Sequence, residues 1–418
     1  MDRVLEIILR RLVKEGSLAV TTAGGQKRLY GDGTGAPVAI RFTSYRWQWA
    51  VLLDPELRLG EAYMDGGLVI EHGSIAALLD ILARNFGRRE PTVWSNLIRN
   101  IRAHLRGAFR LNNLIRAQRN SRHHYNIDSR IYKLFLDPDM QYSCAYFETP
   151  GMDLQEAQGA KKRHIERKLL LDTPGLRVLD IGCGWGGLGL HLARSAQASV
   201  TGINLSDEQI AIARQRVANE KLPCDFRMQD YRDLNGQFDR IVSVGMFEHV
   251  GKAYYRPFFD KCRELLTDNG VMLLHTIGRW DAPSITNAWV WKYIFPGGYA
   301  PTLSELTPAI ERAGLIITDI EVLRLHYAET LRHWRERFMA QRDEVLKIFD
   351  ERFLRMWEFY LAGCEASFRH LGVTVFQIQL AKKLDAVPMT RAYMHDHVEP
   401  AAAIAAQRAK TPLRLVER

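Results

Sequence analysis

The spacing of apolar positions changes period several times along the chain, and each change predicts an element. Val4, Ile7, Ile8 and Leu12 share one side of a helix over about 4–13, a packed or interfacial element. After the Gly31 to Gly35 turn cluster, Val38–Phe42 and Trp47–Leu53 carry the short pattern of strands, and Gly73–Arg84 returns to helical spacing. Roughly the first 85 residues thus predict a small mixed α and β unit. Trp94, Leu97, Ile98, Ile101, Leu105 and Phe109 then give one face of a further helix an apolar stripe. From about Asp172 to Ile320 strand-like and helix-like stretches alternate, which implies a parallel, doubly wound α/β sheet. Helical pattern resumes from Leu331 to Gly372, and the Ala- and Arg-rich stretch after Pro400 reads as peripheral. The expected domains are 1–120, 121–395 and a tail over 396–418, with no internal repeat.

Composition narrows the class. Of 418 residues 47% are hydrophobic and 25% charged, which is ordinary for globular protein and excludes collagen-like or linker-dominated chains. No apolar run approaches the roughly 18 residues of a membrane span. Asp2, Glu6 and Glu15 interrupt the first twenty positions, unlike a secretory leader, so the expected location is the cytoplasm. Cys144, Cys183, Cys224, Cys262 and Cys364 stand singly with no CxxC pair, which suggests reduced thiols and neither a disulfide framework nor a metal site.

The net charge is +9, and one segment accounts for it: Arg84 to Lys133 holds twelve basic residues against Glu90 and Asp128. With the apolar stripe this makes a basic amphipathic helix. A solvated helix packed on its neighbour, a nucleic-acid surface and a helix on anionic lipid all compete for it. Lipid gains over nucleic acid because no RNA-binding or helix-turn-helix motif accompanies the patch. At about 1 kcal/mol per basic residue near an anionic leaflet, half the strip supplies on the order of 5 kcal/mol of salt-sensitive attraction.

Candidate chemistry begins at Val178-Leu179-Asp180-Ile181-Gly182-Cys183-Gly184-Trp185-Gly186-Gly187, a strand running into a glycine turn and then a helix over Leu188–Arg194. Gly182, Gly184 and Gly187 satisfy GxGxxG, a weak signal alone. A dinucleotide site expects an acid about 20 residues on, for the ribose. The second strand instead ends Val200-Thr201-Gly202-Ile203-Asn204-Leu205, with no carboxylate. Asp180 at the first strand's end suits a ligand with a cationic amino group. The third strand, Asp225–Met228, delivers Gln229 and Asp230, where a carboxylate can accept from an adenine amino group. Side by side, these strand ends read as the S-adenosylmethionine site of a class I methyltransferase, with Asn204 and Gln209 in place of the ribose acid. Gln209 also fits a capping box with Ser206.

Further motifs give the chain a family resemblance. Gln141-Tyr142-Ser143-Cys144-Ala145-Tyr146-Phe147, the glycine turn with Trp185, Met246-Phe247-Glu248-His249-Val250-Gly251, His275-Thr276-Ile277-Gly278, Lys292-Tyr293-Ile294-Phe295-Pro296-Gly297-Gly298 and Tyr360-Leu361 leading to Cys364 occur together. Over about Tyr142 to Gln379 the chain resembles the cyclopropane-fatty-acid-phospholipid synthases, which include the mycolic acid cyclopropane synthases. The resemblance implies a class I methyltransferase domain behind a smaller N-terminal lipid-binding domain. It implies a bicarbonate ion beside the methyl donor, held by the residues matching Cys144, Glu248, His275, the backbone of Ile277, and Tyr327. Cys364 matches an active-site cysteine. By the same carry-over, Tyr142, Ser143, Gly182, Cys183, Gly184, Asn204, Leu205, Gln209, Asp230, Tyr231 and Val244 contact the donor, beside Asp180. The tail beyond about Val387 departs from the family.

The residues make chemical sense beside the name. An alkene is a poor nucleophile, so its attack on a sulfonium methyl needs a water-poor pocket that aligns the reacting atoms. Developing positive charge needs aromatic faces, offered by Trp289, Trp291, Tyr293, Phe295, Tyr299 and Tyr327. Closing a three-membered ring needs a base, which bicarbonate would supply with Glu248 accepting its O–H. His275 follows Val271-Met272-Leu273-Leu274 and so is expected to end a strand. The duller readings are that Cys144 and Cys364 are small buried hydrophobes, that His249 is structural and that the aromatic run is ordinary core. The implied activity is methylene transfer to the cis double bond of a phospholipid acyl chain, at the inner face of an anionic membrane. Nucleic acid is not an expected partner, and a homodimer is a possible assembly. Methylation without ring closure, small-molecule N-methylation and a binding module with a relic nucleoside site are the rivals.

Overall fold

The computed structural model describes residues 2–86 and 129–395. The basic amphipathic stripe from Trp94 to Phe109 and the tail over 396–418 lie outside the described residues.

The N-terminal unit runs α1 (Asp2–Leu12), β1 (Leu18–Thr21), β2 (Lys27–Tyr30), β3 (Val38–Phe42), α2 (Tyr45–Leu53), α3 (Pro55–Met64), β4 (Leu68–His72) and α4 (Ile75–Phe86), with its sheet ordered β2-β1-β3-β4. Two expectations change here. The strand foreseen at Trp47–Leu53 is the helix α2, because its inward residue is polar. Gln48 is fully buried, accepting from the Ala23 amide at 3.0 Å and donating to Asp2 at 3.0 Å, while Trp49 faces outward. In α1 the inward side is Leu5, with Leu9 and Leu12 packed beside it; Val4, Ile7 and Ile8 are exposed.

The larger unit begins with α5 (Ser129–Phe135) and α6 (Leu154–Lys168). Strands β5 (Arg177–Ile181), β6 (Ser199–Asn204), β7 (Cys224–Met228), β8 (Phe238–Val244), β9 (Leu266–Arg279), β10 (Ile316–Val322) and β11 (Val373–Ala381) form one sheet ordered β10-β11-β9-β8-β5-β6-β7. The parallel expectation holds for β5 to β9, but β11 is antiparallel to both its neighbours. Helices His326–Ala340, Arg342–Ile348 and Glu351–His370 leave the end of β10 and return the chain to the same sheet edge, so β11 must run the other way. Its alternation was hidden by Thr374, Gln377 and Gln379, all buried.

The two units share one hydrophobic cluster. Across the seam Tyr63 donates to Glu358 at 2.5 Å and Arg352 to Asp65 at 2.7 Å. Glu61, almost wholly buried, accepts from Lys292 at 2.7 Å and Tyr293 at 2.8 Å. Gly60 belongs here because a Cβ would stand 2.5 Å from Trp289 Nε1. Among the described residues no helix is long and apolar enough to cross a membrane.

Candidate active site

The first three strands of the larger sheet end side by side, and the loops that leave them, with the end of β8, enclose a cavity of about 150 Å³. All twelve residues assigned to the methyl donor line it. The turn after β5 has the shape the glycines allow: Gly182 has φ of +86°, and a Cβ there would meet Met246 Cβ at 2.7 Å.

Asp180 stands inside the cavity wall almost without solvent contact, and among the described residues its Oδ2 has no hydrogen-bond partner. Burial pushes its carboxyl up to about 7, against a lowering pull from Lys161. A bound ammonium is what such an oxygen lacks. Opposite, Asn204 Nδ2 donates to Gln209 Oε1 at 2.6 Å and Asn204 Oδ1 accepts the Leu205 amide at 2.8 Å. Only half of the expected capping box forms: the Gln209 amide donates to Ser206, the cap of the helix Asp207–Glu220, while the Gln209 side chain is on Asn204. Asp230 is already engaged, accepting from Arg232 Nε at 2.8 Å and Nη2 at 2.7 Å, so an adenine amino group would share that carboxylate.

The segment carrying Tyr142, Ser143 and Cys144 is pinned from several sides. The Gln141 amide donates to Asp137 at 2.9 Å and the Ala145 amide to Thr330 at 3.0 Å. Tyr142 stacks on Trp334 with ring centroids 5.1 Å apart, and its hydroxyl meets that of Tyr360 at 2.9 Å. Beneath it, Lys161 donates to Gln141 Oε1 at 2.7 Å and Ser143 Oγ at 2.9 Å.

None of the residues assigned to the base site lines this cavity, though three of them adjoin residues that do. Glu248 precedes His249, Cys144 follows Ser143, and His275 pairs with Val244. His275 sits inside β9 rather than at its end; what ends at its level is β8. Past that point, among the described residues, β9 is met on this side only by a single bridge from Arg279 to Thr302, and the Ile277 amide donates to Glu248 Oε1 at 2.5 Å. The backbone N–H expected to face an oxyanion is therefore capped by Glu248. Among the described residues Glu248 Oε2 is buried without a geometric hydrogen-bond partner, and burial raises the carboxyl to about 7 against lowering pulls from the Ile277 amide and the Thr276 side chain. Burial lowers His275 to about 3 and His249 to about 4, so both are neutral, with His275 Nδ1 3.1 Å from Gln377 Nε2. Cys144 is buried with its thiol on the Ala145 carbonyl at 3.3 Å; burial raises it strongly and pushes Cys364 up to about 12. Both are neutral thiols. Tyr327 lies edge-on to Trp334 and 4.8 Å from Phe368.

The aromatic run divides. Trp289 and Tyr293 turn to the N-terminal unit, on Met64 and Glu61, and do not line the cavity. Phe295 does reach the site, with centroids 6.1 Å from His249 and 5.8 Å from Tyr360. Tyr299 donates to Glu305 at 2.9 Å, and its amide bonds to the Glu248 carbonyl at 3.0 Å. Sequence reasoning missed Lys161, Gln141 as its acceptor, and Tyr360 as partner of Tyr142. For Lys161 a signal existed: Gln158, Lys161, His164 and Lys168 are buried and share one helical face.

A sheet of this order, with an orphaned acid at its first strand and a nucleoside-shaped rim, defines a class I S-adenosylmethionine-dependent methyltransferase. The family model for mycolic acid cyclopropane synthetase matches residues 112–378, and the chain belongs to that family. A second model, a domain of unknown function, matches residues 4–88. The chain is 37% identical over 350 residues to a cyclopropane-fatty-acyl-phospholipid synthase of Escherichia coli K12, covering 84% of this chain and 89% of that one. It is 43% identical over 270 residues to a probable fatty acid methyltransferase of Pseudomonas putida, covering 62% and 68%. A solved mycolic acid cyclopropane synthase complexed with S-adenosylhomocysteine and CTAB is 33% identical, with a TM-score of 0.60 over 63% of this chain and 97% of that one.

Proposed function

We propose that this enzyme transfers the donor's methyl carbon to the cis double bond of a phospholipid acyl chain and closes a cyclopropane, with bicarbonate as base. One observation carries the reading: a buried carboxyl, Glu248, keeps one oxygen on the Ile277 amide and, among the described residues, the other without a geometric hydrogen-bond partner, at the edge of the strand that carries His275. S-adenosylmethionine, when bound, supplies an electrophilic methyl on sulfur, and bicarbonate supplies a base of moderate strength.

The chain's residues fit both. Asp180 has the orphaned oxygen that an amino group needs, while Asn204 and Gln209 face a ribose. Glu248 Oε2, His275, Cys144 and Tyr327 would hold the oxyanion, with Ile277 acting through Glu248. Tyr142 lines the cavity, backed by Trp334 and Tyr360, and these rings would help to keep water out and to tolerate developing positive charge. A carboxyl poised near neutrality can take up a proton and return it, which a permanently ionised one does poorly.

Lipid as substrate also draws support from α1. Exposed Val4, Ile7 and Ile8 lie among Arg3, Arg10, Arg11 and Lys14, the composition of a helix that rests on an anionic bilayer from its cytoplasmic side. The Pseudomonas putida relative keeps a second reading open, methylation of the chain without ring closure. Lipids of a host expressing the protein, resolved by head group and compared before and after mild hydrogenation, separate the two. A ring survives hydrogenation; a methylated alkene takes up hydrogen.

A further inference from the structure

Helix α6 turns four polar side chains into the protein. Two of them find anions: Lys168 lies 3.9 Å from Asp319 and also contacts Glu321, and His164 meets Glu321 at 2.6 Å. Lys161 is different. It is fully buried, and among the described residues it makes no ion pair. Its ammonium donates to two neutral acceptors, Gln141 Oε1 at 2.7 Å and Ser143 Oγ at 2.9 Å, which leaves one of its three N–H donors without a partner among the described residues.

Asp137 and Asp139 act on it as counter-charges, but burial outweighs them and lowers it to about 8, and both carboxylates are shared. Asp139 is committed to Lys162 and Arg216. Asp137 accepts the amides of Asp139 and Gln141. Cys144 and His275 are neutral, and the field of Lys161 reaches both, as it reaches Asp180. An ammonium buried with only shared counter-charges is poorly compensated, and a further anion would stabilise it. Ser143 and Gln141 line the donor cavity, so the charge is presented there through the two side chains it holds.

We infer that Lys161 is a positioning residue that makes this end of the cavity a site for one small anion of the carboxylate class. The inference rests on the methyl-transfer reading and names a residue that completes it. Two sources have that chemistry, the donor's own carboxylate and a bicarbonate ion, and both present an O–C–O group to a point charge.

Lys161→Met keeps length and bulk and removes the charge. Calorimetry would compare S-adenosylhomocysteine with its decarboxylated analogue, and thermal melts would compare bicarbonate with chloride at one ionic strength. If the donor's carboxylate is the anion, decarboxylation weakens binding to the parent tenfold or more, and the variant binds both compounds alike. If bicarbonate is the anion, it raises the parent's melting temperature where chloride does not, and the variant loses that response while keeping its affinity for S-adenosylhomocysteine within about threefold. Either result supports the site. A folded variant that repeats the parent in every measurement overturns it. Should the variant not fold, the parent decides alone: no discrimination against the decarboxylated analogue and no response to bicarbonate overturn the inference. A parent that binds no S-adenosylhomocysteine overturns the methyl-transfer reading itself.

Discussion

Glu248 and Ile277 are joined by a hydrogen bond of 2.5 Å from the Ile277 amide to Glu248 Oε1, made where β8 has ended and β9 continues. The bond fixes the carboxyl while leaving Oε2 buried and, among the described residues, without a geometric hydrogen-bond partner. A group held this way can work on a proton without changing its position.

Glu248→Gln keeps an oxygen for the Ile277 amide and removes the titrating group. Turnover is expected to fall 100-fold or more, with donor affinity by calorimetry unchanged within about twofold. Unchanged turnover would take Glu248 out of the chemistry.

The same carboxyl has a stability signature. Its folded value, raised by burial to about 7, lies above that of an unfolded glutamate, so the folded state binds the proton more tightly. The parent is therefore penalised progressively as pH rises from about 4.5 to 7, by on the order of 3 kcal/mol at the plateau. Chemical denaturation should show Glu248→Gln gaining on the parent from pH 5 to pH 8 and no further above that. A pH-independent difference would contradict the assignment.

Asp180 makes the opposite demand on pH. Its carboxyl, raised by burial to about 7 in the free protein, must ionise to accept an ammonium. Donor affinity should fall as pH drops through about 7, and Asp180→Asn should weaken binding about tenfold or more and flatten that dependence. Equal affinity at pH 6 and pH 8 in the parent would show that the amino group is bound elsewhere.

How much of this was legible beforehand follows from where the information sits. The glycine turn, Asp180, Asn204 and Asp230 were readable because strand ends bring short local motifs to one edge. Helix α2 was misread because its inward residue is Gln48, whose hydrogen bonds to Ala23 and Asp2 are tertiary. Strand β11 was missed because its buried polar residues depend on partners such as His275, far away in sequence. Lys161 was hidden in a charged helix, and only its packing shows which of the neighbouring cations faces inward.

The hydroxyl contact between Tyr142 and Tyr360 should be worth measuring as a pair. Tyr360→Phe removes this hydroxyl contact and is expected to cost about 0.5–1.5 kcal/mol in denaturant unfolding. Tyr142→Phe combined with it should recover part of that loss. Additive losses would show that the contact carries no coupling.

Ring closure on an acyl chain is the central claim, and a donor with a fully deuterated methyl group tests it directly. Given to the purified enzyme with vesicles of unsaturated anionic phospholipid, it should yield an acyl product that resists mild hydrogenation and retains two of the three deuterons, the third having left with the base. A product retaining all three, or none formed on the lipid, would contradict the account.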